Sequence, residues 1–222
     1  MEFYAPDGDE WDPNAWDRYP HHRKFFDKLW LSYTLGYNCG PCGYPPNKTG
    51  IYIVRPCYNL DGMGIGAKVC MIQKEQMDKT PAGYFWCEFF EGRQFSVNYK
   101  WIDGILKPTS SMEGFKPRGE MIRFDEWKKS DYMPEPHQLL YQLSDVQYIN
   151  VEYIEDKIIE VHLREGRDPM YDHIVPVWDD RIITRARYEA QGYKFIPYYE
   201  SAYGQIEDND GNKYARLGFM VK

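Results

Sequence analysis

The stretch NVEYIEDKIIEVHLR, residues 150–164, is the part of the chain that best predicts the fold. It alternates between apolar and polar residues, as a half-buried strand does. We predict two short strands, Asn150–Ile154 and Ile158–Leu163, joined by a charged turn at Glu155–Lys157.

Alternation along a strand places residues two apart on the same face of a sheet. The expected apolar face carries Val151, Tyr153, Ile159, Val161 and Leu163, and the expected polar face carries Asn150, Glu152, Ile158, Glu160, His162 and Arg164. A three-residue turn would place Glu152 opposite Glu160, whereas a two-residue turn would put the polar sets on opposite faces. Three-residue turns usually contain glycine, which Glu-Asp-Lys lacks, so both registers stay open.

Two carboxylates that face each other across a strand pair repel unless a positive charge lies between them. A divalent cation meets that need, because Mg²⁺ is commonly bound by one or two carboxylates together with substrate phosphates. The alternative is a charged strand face that simply contacts water.

Composition limits the classes of protein to consider. The 222 residues are 43% hydrophobic and 17% aromatic, with 20 Tyr and 7 Trp, which indicates a compact globular protein. A net charge of −7 argues against nucleic acid or an anionic membrane as the main partner. The acidic start, MEFYAPDGDEWDPN, is unlike a signal peptide, and no apolar run approaches the roughly 20 residues that span a bilayer. We therefore expect a cytoplasmic protein.

Five cysteines include the pair Cys39-Gly-Pro-Cys42, which has the spacing of the thioredoxin redox motif. That chemistry requires a helix starting at the first cysteine, and Gly43, Pro45 and Pro46 prevent one here. We predict a loop, with a disulfide or a metal site as the alternatives.

Helices and strands are intermixed without regular βαβ alternation, so the predicted class is α+β. The expected helices are Arg23–Gly36, Glu135–Leu143 and Asp179–Gln191, and residues 102–118 are expected to be irregular. The other expected strands are Ile51–Val54, Lys68–Ile72, Tyr84–Phe90, Phe95–Lys100, Tyr193–Tyr199 and Ala215–Val221.

The segment IVRPCYNLDGMGIGA, residues 53–67, joins a strand to a glycine-rich loop. Glycines let backbone amides approach phosphate oxygens, although a plain hairpin loop is the alternative. The segment resembles the strand and phosphate-covering loop of ATP-grasp enzymes, nearest to the carbamoyl phosphate synthetase large subunit and the D-alanine–D-alanine ligase type. This resemblance implies that Arg55, where most relatives have Lys, reaches the ATP phosphates. The loop residues implied to cover them are Gly62, Met63, Gly64 and Gly66.

Two more segments follow in the order that the family uses. WCEFFEGRQFSV, residues 86–97, resembles the hinge that binds adenine and ribose, which implies Glu88, Phe89, Phe90 and Gln94 as contacts. The 150–164 stretch resembles the strand pair that supplies magnesium ligands. It implies Glu152, Glu160 and His162 as ligands and Arg164 as a catalytic cation, with His162 at a position usually held by Asn. An imidazole is a softer ligand than an amide oxygen, so Mn²⁺ is an alternative to Mg²⁺.

The resemblance implies an ATP-grasp fold with mainly antiparallel sheets, in a minimal version without the usual N-terminal domain. Its parts would be an N-terminal arm and helix at 1–35, a lid at 36–90 and a core at 91–222. Within RKFFDKLW, Arg23 or Lys24 resembles the basic residue that relatives direct at the phosphates.

By the same resemblance, we expect an ATP-dependent ligase that joins a carboxylate to an amine, a thiol or another nucleophile through an acylphosphate. The expected partners are small-molecule or peptide substrates, with a homodimer as an option and residues 166–171 facing the substrate. The alternatives are an ATP-dependent small-molecule kinase and a non-catalytic, aromatic-rich binding module.

Overall fold

A computed structural model describes residues 11–60, 64–74, 81–117, 122–168, 170–181, 183–197, 205–207 and 212–222. Its strands form two antiparallel sheets, one small and one large, with short helices packed against them. This arrangement confirms the α+β class.

The small sheet is formed by four strands in the order β1-β4-β2-β3. They are β1 (Cys39–Pro41), β2 (Gly50–Pro56), β3 (Lys68–Ile72) and β4 (Tyr84–Glu88). One face packs Tyr52, Val54, Ile72 and Trp86 into a local core. Because side chains alternate, Ile53, Arg55 and Cys87 emerge on the opposite face, toward the large sheet.

The large sheet runs in the order β11-β13-β10-β7-β6-β5-β8-β9, with β12 paired to β13. Its strands are β5 (Gln94–Ile102), β6 (Ile105–Phe115), β7 (Glu126–Lys129), β8 (Tyr148–Ile154), β9 (Lys157–His162), β10 (His173–Trp178), β11 (Lys194–Pro197), β12 (Gln205–Glu207) and β13 (Lys213–Val221). The prediction of an irregular stretch at 102–118 is wrong, because β6 occupies most of those residues. Pro108 is tolerated there since it adjoins a bulge opposite Asn98 and Tyr99.

The helices are short. They are α1 (Asp12–Arg18), α2 (Lys28–Thr34) and α3 (Ile183–Glu189), with 3-10 turns at Pro20–Phe26, Gln138–Gln142 and Asp179–Arg181. No helix within the described ranges is long and apolar enough to cross a membrane.

The single helix predicted at Arg23–Gly36 is two pieces separated by Asp27. The backbone of Asp27 is extended, and its carboxylate accepts hydrogen bonds from the Leu29 and Trp30 amides at 3.0 Å. It is therefore the N-cap of α2, which begins at Lys28. The break changes which lysine of this segment faces the large sheet.

The 150–164 hairpin combines the shorter of the two turns left open by the sequence with the pairing expected for the longer one. Glu152 lies opposite Glu160, yet the turn contains only two residues, because Ile154 pairs with Lys157. A β-bulge on β9 restores the register by adding one residue, Ile159. The bulge also exchanges two predicted orientations: Ile158 is buried in the core, and Ile159 faces the opposite side.

The main core lies beneath β5, β8 and β9. It combines apolar residues of those strands with others from the N-terminal helices, including Phe25, Leu31, Val97, Val151 and Val161. With that face of the sheet covered, the polar residues of the hairpin point toward the small sheet.

Candidate active site

The two sheets enclose one large cleft, which we call the central cleft. Ile53, Arg55 and Cys87 of the small sheet form one wall, and Glu152, Glu160 and His162 lie on the facing hairpin. The cleft continues across the large sheet past Met112 of β6, Trp127 of β7, Ile174 of β10 and Arg216 of β13.

Glu152, Glu160 and His162 converge on one point of the cleft. One potential ligand atom from each lies within 4.8 Å of the others. Nε2 of His162 is 3.8 Å from Oε1 of Glu152 and 3.6 Å from Oε2 of Glu160. Gln94 donates a hydrogen bond of 3.0 Å to the other Glu152 oxygen. The set of donors fits a divalent cation: the carboxylates suit Mg²⁺, and the imidazole favours transition metals.

Two buried cations neutralise Glu160. Nζ of Lys28 is 3.7 Å from Oε2, and Nη1 of Arg55 is 3.4 Å from Oε1. Arg55 also donates a hydrogen bond of 3.1 Å to the Ile159 carbonyl, which belongs to the extra residue of the bulge. Arg55 therefore lies beside Glu160 in the cleft, and its contact with the ATP phosphates stays a prediction.

Lys28, rather than the predicted Lys24, lies beside Glu160. Lys24 is exposed and donates a hydrogen bond of 2.8 Å to Gln142, away from the residues that line the cleft. Lys28 takes its place because the cap at Asp27 starts a new helix there. Lys28 was missed, although an Asp before an apolar run is a recognisable N-cap pattern.

Asp12 is a further site residue that the sequence analysis missed. Its side chain is 1% exposed, and its Oδ2 lies 2.9 Å from Nδ1 of His162 and 2.8 Å from Nη2 of Arg164. Nε of Arg164 is 2.7 Å from the other Asp12 oxygen. Nothing in the local sequence indicates these partners, which lie 150 and 152 residues further along the chain.

Asp12, His162 and Glu152 lie close enough to shift one another's pKa values, and Arg164 contributes to the shifts. Burial alone would raise the pKa of Asp12, but the charges and hydrogen bonds of His162 and Arg164 outweigh it and hold the pKa well below its ordinary value. Burial would lower the pKa of His162, yet the Asp12 carboxylate raises it to about 9. His162 in turn keeps the pKa of Glu152 below its ordinary value despite burial of that carboxyl. In the metal-free chain, His162 is therefore a cation between three carboxylates.

Arg164 borders the cleft, but Asp12 and the Glu165 carbonyl hold its guanidinium. The side chain is only 5% exposed, so its position is fixed before any substrate binds. Its catalytic role stays a prediction.

The expected hinge residues Glu88, Phe89, Phe90 and Gln94 all line the cleft. The Glu88 amide donates a hydrogen bond of 2.8 Å to the Asn38 carbonyl, and the Glu88 carboxylate accepts one of 3.0 Å from the Asn38 amide. Their contacts to adenine and ribose stay predictions. Gln94 is hydrogen-bonded to Glu152, so it also links the expected ribose position to the group formed by Glu152, Glu160 and His162.

The glycine-rich loop is described in part, and Gly62 and Met63 lie outside the described residues. Gly64 lines the cleft with φ of +66°. Gly66 has φ of +80°, and a Cβ there would lie 2.9 Å from the Pro56 side chain and the Tyr84 hydroxyl. Only glycine fits at Gly66, which holds the loop close to the small sheet.

A polar network places the loop that follows β9. Asn150 donates hydrogen bonds of 2.9 Å to Ser96 and 2.8 Å to Asn98. The Asn98 side-chain oxygen also accepts one of 2.8 Å from the Gly166 amide. Gly166, Arg167, Asp168 and Met170 line the cleft, and their contact with a substrate stays a prediction.

Among the five cysteines, only Cys87 lines the cleft. Cys39 belongs to strand β1 rather than to a loop, and it pairs with Cys87 across the sheet. All five cysteines fall in the described part of the chain and carry free thiols.

Comparison with known proteins then defines the fold. No sequence-family model and no curated protein sequence matches the chain. Carboxyaminoimidazole ribonucleotide synthase from Aspergillus clavatus, complexed with ATP, matches with a TM-score of 0.53 and 8% identity, over 95% of this chain and 74% of that one. N5-carboxyaminoimidazole synthetase from Staphylococcus aureus, complexed with ADP, matches with a TM-score of 0.52 and 10% identity. The match covers 90% of this chain and 68% of that one. The chain has the ATP-grasp fold.

An ATP-grasp superfamily protein from Archaeoglobus fulgidus matches less fully, with a TM-score of 0.39 and 18% identity over 64% of this chain. The chain spans 46% of the length of that protein. The two fuller matches confirm the ATP-grasp fold predicted from the three sequence segments.

Proposed function

We propose that the chain is an ATP-dependent ligase that joins a carboxylate to an amine or another nucleophile through an acylphosphate, releasing ADP and phosphate. One observation carries the proposal: Glu152, Glu160 and His162 converge opposite Lys28 and Arg55 in the cleft between the two sheets. The ATP and ADP in the two similar structures support ATP as the nucleotide.

Binding would exchange one set of charge partners for another. Without nucleotide, Lys28 and Arg55 both neutralise Glu160. The phosphates of ATP would attract these two cations and free Glu160 to bind a cation of its own. A buried carboxylate therefore keeps a counter-ion in both states, which avoids a large desolvation cost.

Glu152, Glu160 and His162 would hold Mg²⁺ or Mn²⁺. When bound, the ion supplies positive charge at the β- and γ-phosphates, where charge shifts during transfer. The adenine would lie along Glu88, Phe89 and Phe90, with Gln94 near the ribose. Gly64 and Gly66 belong to the loop that would cover the phosphates and exclude water.

The reaction has two steps. An oxygen of the substrate carboxylate attacks the γ-phosphorus, and ADP leaves with the electron pair of the broken P–O bond. The amine then attacks the acylphosphate carbon, phosphate departs, and the amine loses a proton. Lys28, Arg55 and Arg164 border the space where this negative charge moves, and fixed cations of this kind lower the barrier.

The carboxylate substrate would bind beyond Glu152, Glu160 and His162, next to residues 166–168 and Met170. This part of the cleft is lined by Trp127, Ile174 and Trp178, with Arg216 paired to Asp168 at 3.2 Å. Such a lining suits a substrate with an apolar portion and a charged group.

Product analysis tests the proposal. The chain is incubated with Mg-ATP or Mn-ATP, mixed carboxylates and amino acids, and ADP, AMP and phosphate are measured. A ligase should form ADP and phosphate in equal amounts only when both substrates are present, and hydroxylamine should trap the acylphosphate as a hydroxamate.

The alternatives give other products. ADP with a stable phosphorylated product and no free phosphate would indicate a kinase. Nucleotide that binds the folded state should also raise the melting temperature. Absence of both turnover and a thermal shift at millimolar nucleotide would favour a binding module.

A further inference from the structure

The imidazole of His162 has an unusual environment for a strand residue. It is 5% exposed, with Nδ1 at 2.9 Å from Asp12 and Nε2 directed at Glu152 and Glu160. The Nε2 distances of 3.8 and 3.6 Å exceed those of hydrogen bonds. One ring nitrogen is thus firmly held, and the other points into the acidic cluster.

Arg164 determines which nitrogen keeps its hydrogen. Two of its nitrogens lie 2.7 and 2.8 Å from the two Asp12 oxygens, which keeps that carboxylate ionised. An ionised carboxylate only accepts hydrogen bonds, so Nδ1 of His162 must be the donor. The Nη2 group of Arg164, 3.2 Å from Nδ1, is a second donor to the same Asp12 oxygen.

A cation at the cluster would replace the hydrogen on Nε2, since Nδ1 remains bound to Asp12. Histidines that bind metals commonly donate their other ring N–H to a carboxylate, which fixes the tautomer and the ring orientation. Imidazole nitrogen suits transition metals, whereas Mg²⁺ prefers oxygen ligands only.

We propose that Asp12 is a positioning residue that directs Nε2 of His162 as a nitrogen ligand, so that this site prefers Mn²⁺ or Co²⁺ to Mg²⁺. This inference rests on the proposed function in that the ion lies beside the ATP phosphates. Beyond the proposed function, the inference assigns His162 as a nitrogen ligand, Asp12 as the residue that orients it, and a transition metal as the preferred ion.

Metal binding is measured on the full chain without nucleotide. Mn²⁺ is titrated by electron paramagnetic resonance, and Mg²⁺ is added as a competitor. Pulsed measurements detect the magnetic coupling between Mn²⁺ and a directly bound nitrogen. In wild type we expect this coupling, with Mn²⁺ bound at least about tenfold more tightly than Mg²⁺.

Two variants separate ligand from support. His162→Asn replaces nitrogen by an amide oxygen, so the coupling should vanish and the preference for Mn²⁺ should fall while Mg²⁺ binding remains. Asp12→Asn keeps the imidazole but weakens its support, so Mn²⁺ affinity should fall about 10–100-fold.

The matched control is His173→Asn. His173 is also partly buried and has two partners, Glu126 and Tyr193, but it lies outside the cleft lining. This variant should bind both ions as wild type does.

If Asp12→Asn does not fold, nitrogen magnetic resonance of wild type loaded with Zn²⁺ tests the support directly. Hydrogen on Nδ1 and metal on Nε2 are expected, and the reverse would overturn the role of Asp12. Wild type without nitrogen coupling, or an unchanged Mn²⁺ preference in His162→Asn, would overturn the ligand assignment. Normal Mn²⁺ binding without ADP formation would instead count against the proposed function.

Discussion

Nζ of Lys28 lies 3.7 Å from Oε2 of Glu160, and both side chains are about nine-tenths buried. The contact joins the first turn of α2 to β9, and Arg55 approaches the same carboxylate from β2. Three segments of the chain therefore meet at one charge cluster. Removing a single partner leaves an uncompensated buried charge, so each member can be tested by substitution.

Lys28→Met should lower ATP turnover by about 10²-fold, the usual effect of removing one fixed charge that stabilises a transition state. It should also reduce the thermal shift caused by nucleotide. Lys24→Met is the matched control, because Lys24 is exposed and bound to Gln142. ADP release and melting temperature are measured for both variants. An equal fall in ADP release in the two variants would contradict the role of Lys28 at the ATP phosphates.

Glu160→Gln keeps the size of the side chain but removes the charge that the two cations and the expected metal share. Turnover should fall by about 10²-fold or more, and the melting temperature without nucleotide should fall too, because Lys28 and Arg55 lose their counter-ion. Glu91→Gln, the same change at an exposed position, should leave both unchanged. Full activity in Glu160→Gln would mean that these carboxylates play no part in catalysis.

Asp12→Ala should destabilise the metal-free chain by about 3–5 kcal/mol, because it leaves the buried Arg164 and His162 charges without their partner. For a domain of this size, that loss corresponds to a fall in melting temperature of roughly 6–20 °C. Asp17→Ala in the same helix is the control, since the Asp17 side chain is 83% exposed. Thermal unfolding by circular dichroism measures both, and a similar small shift in the two variants would refute a structural role for Asp12.

Changing Cys39 and Cys42 together to serine should leave turnover intact. Cys39 faces Cys87 across the small sheet, and Cys42 follows at the end of β1. ADP release and melting temperature are compared with wild type. Lost turnover at an unchanged melting temperature would restore a redox or metal role for the pair.

Much of the fold was predictable because its signals are local. Alternating side chains identified the 150–164 hairpin, and the glycines after Arg55 identified the loop between β2 and β3. Strands such as Lys68–Ile72 were predicted with their observed bounds. Local alternation failed at β6 and β10, where Pro108 and Pro176 interrupt the usual strand pattern and pairing with neighbours holds the strand instead.

The sequence by itself determined which residues within one strand share a face, because side chains alternate along each of the strands that carry Arg55, Glu152, Glu160 and His162. Only the tertiary structure decided the remainder. The bulge at Ile159 set the register, the cap at Asp27 exchanged Lys24 for Lys28, and packing of α1 brought Asp12 to His162 across 150 residues. The physical reason is that a strand face depends on neighbouring residues, whereas the partner of a buried charge depends on which distant segment packs against it.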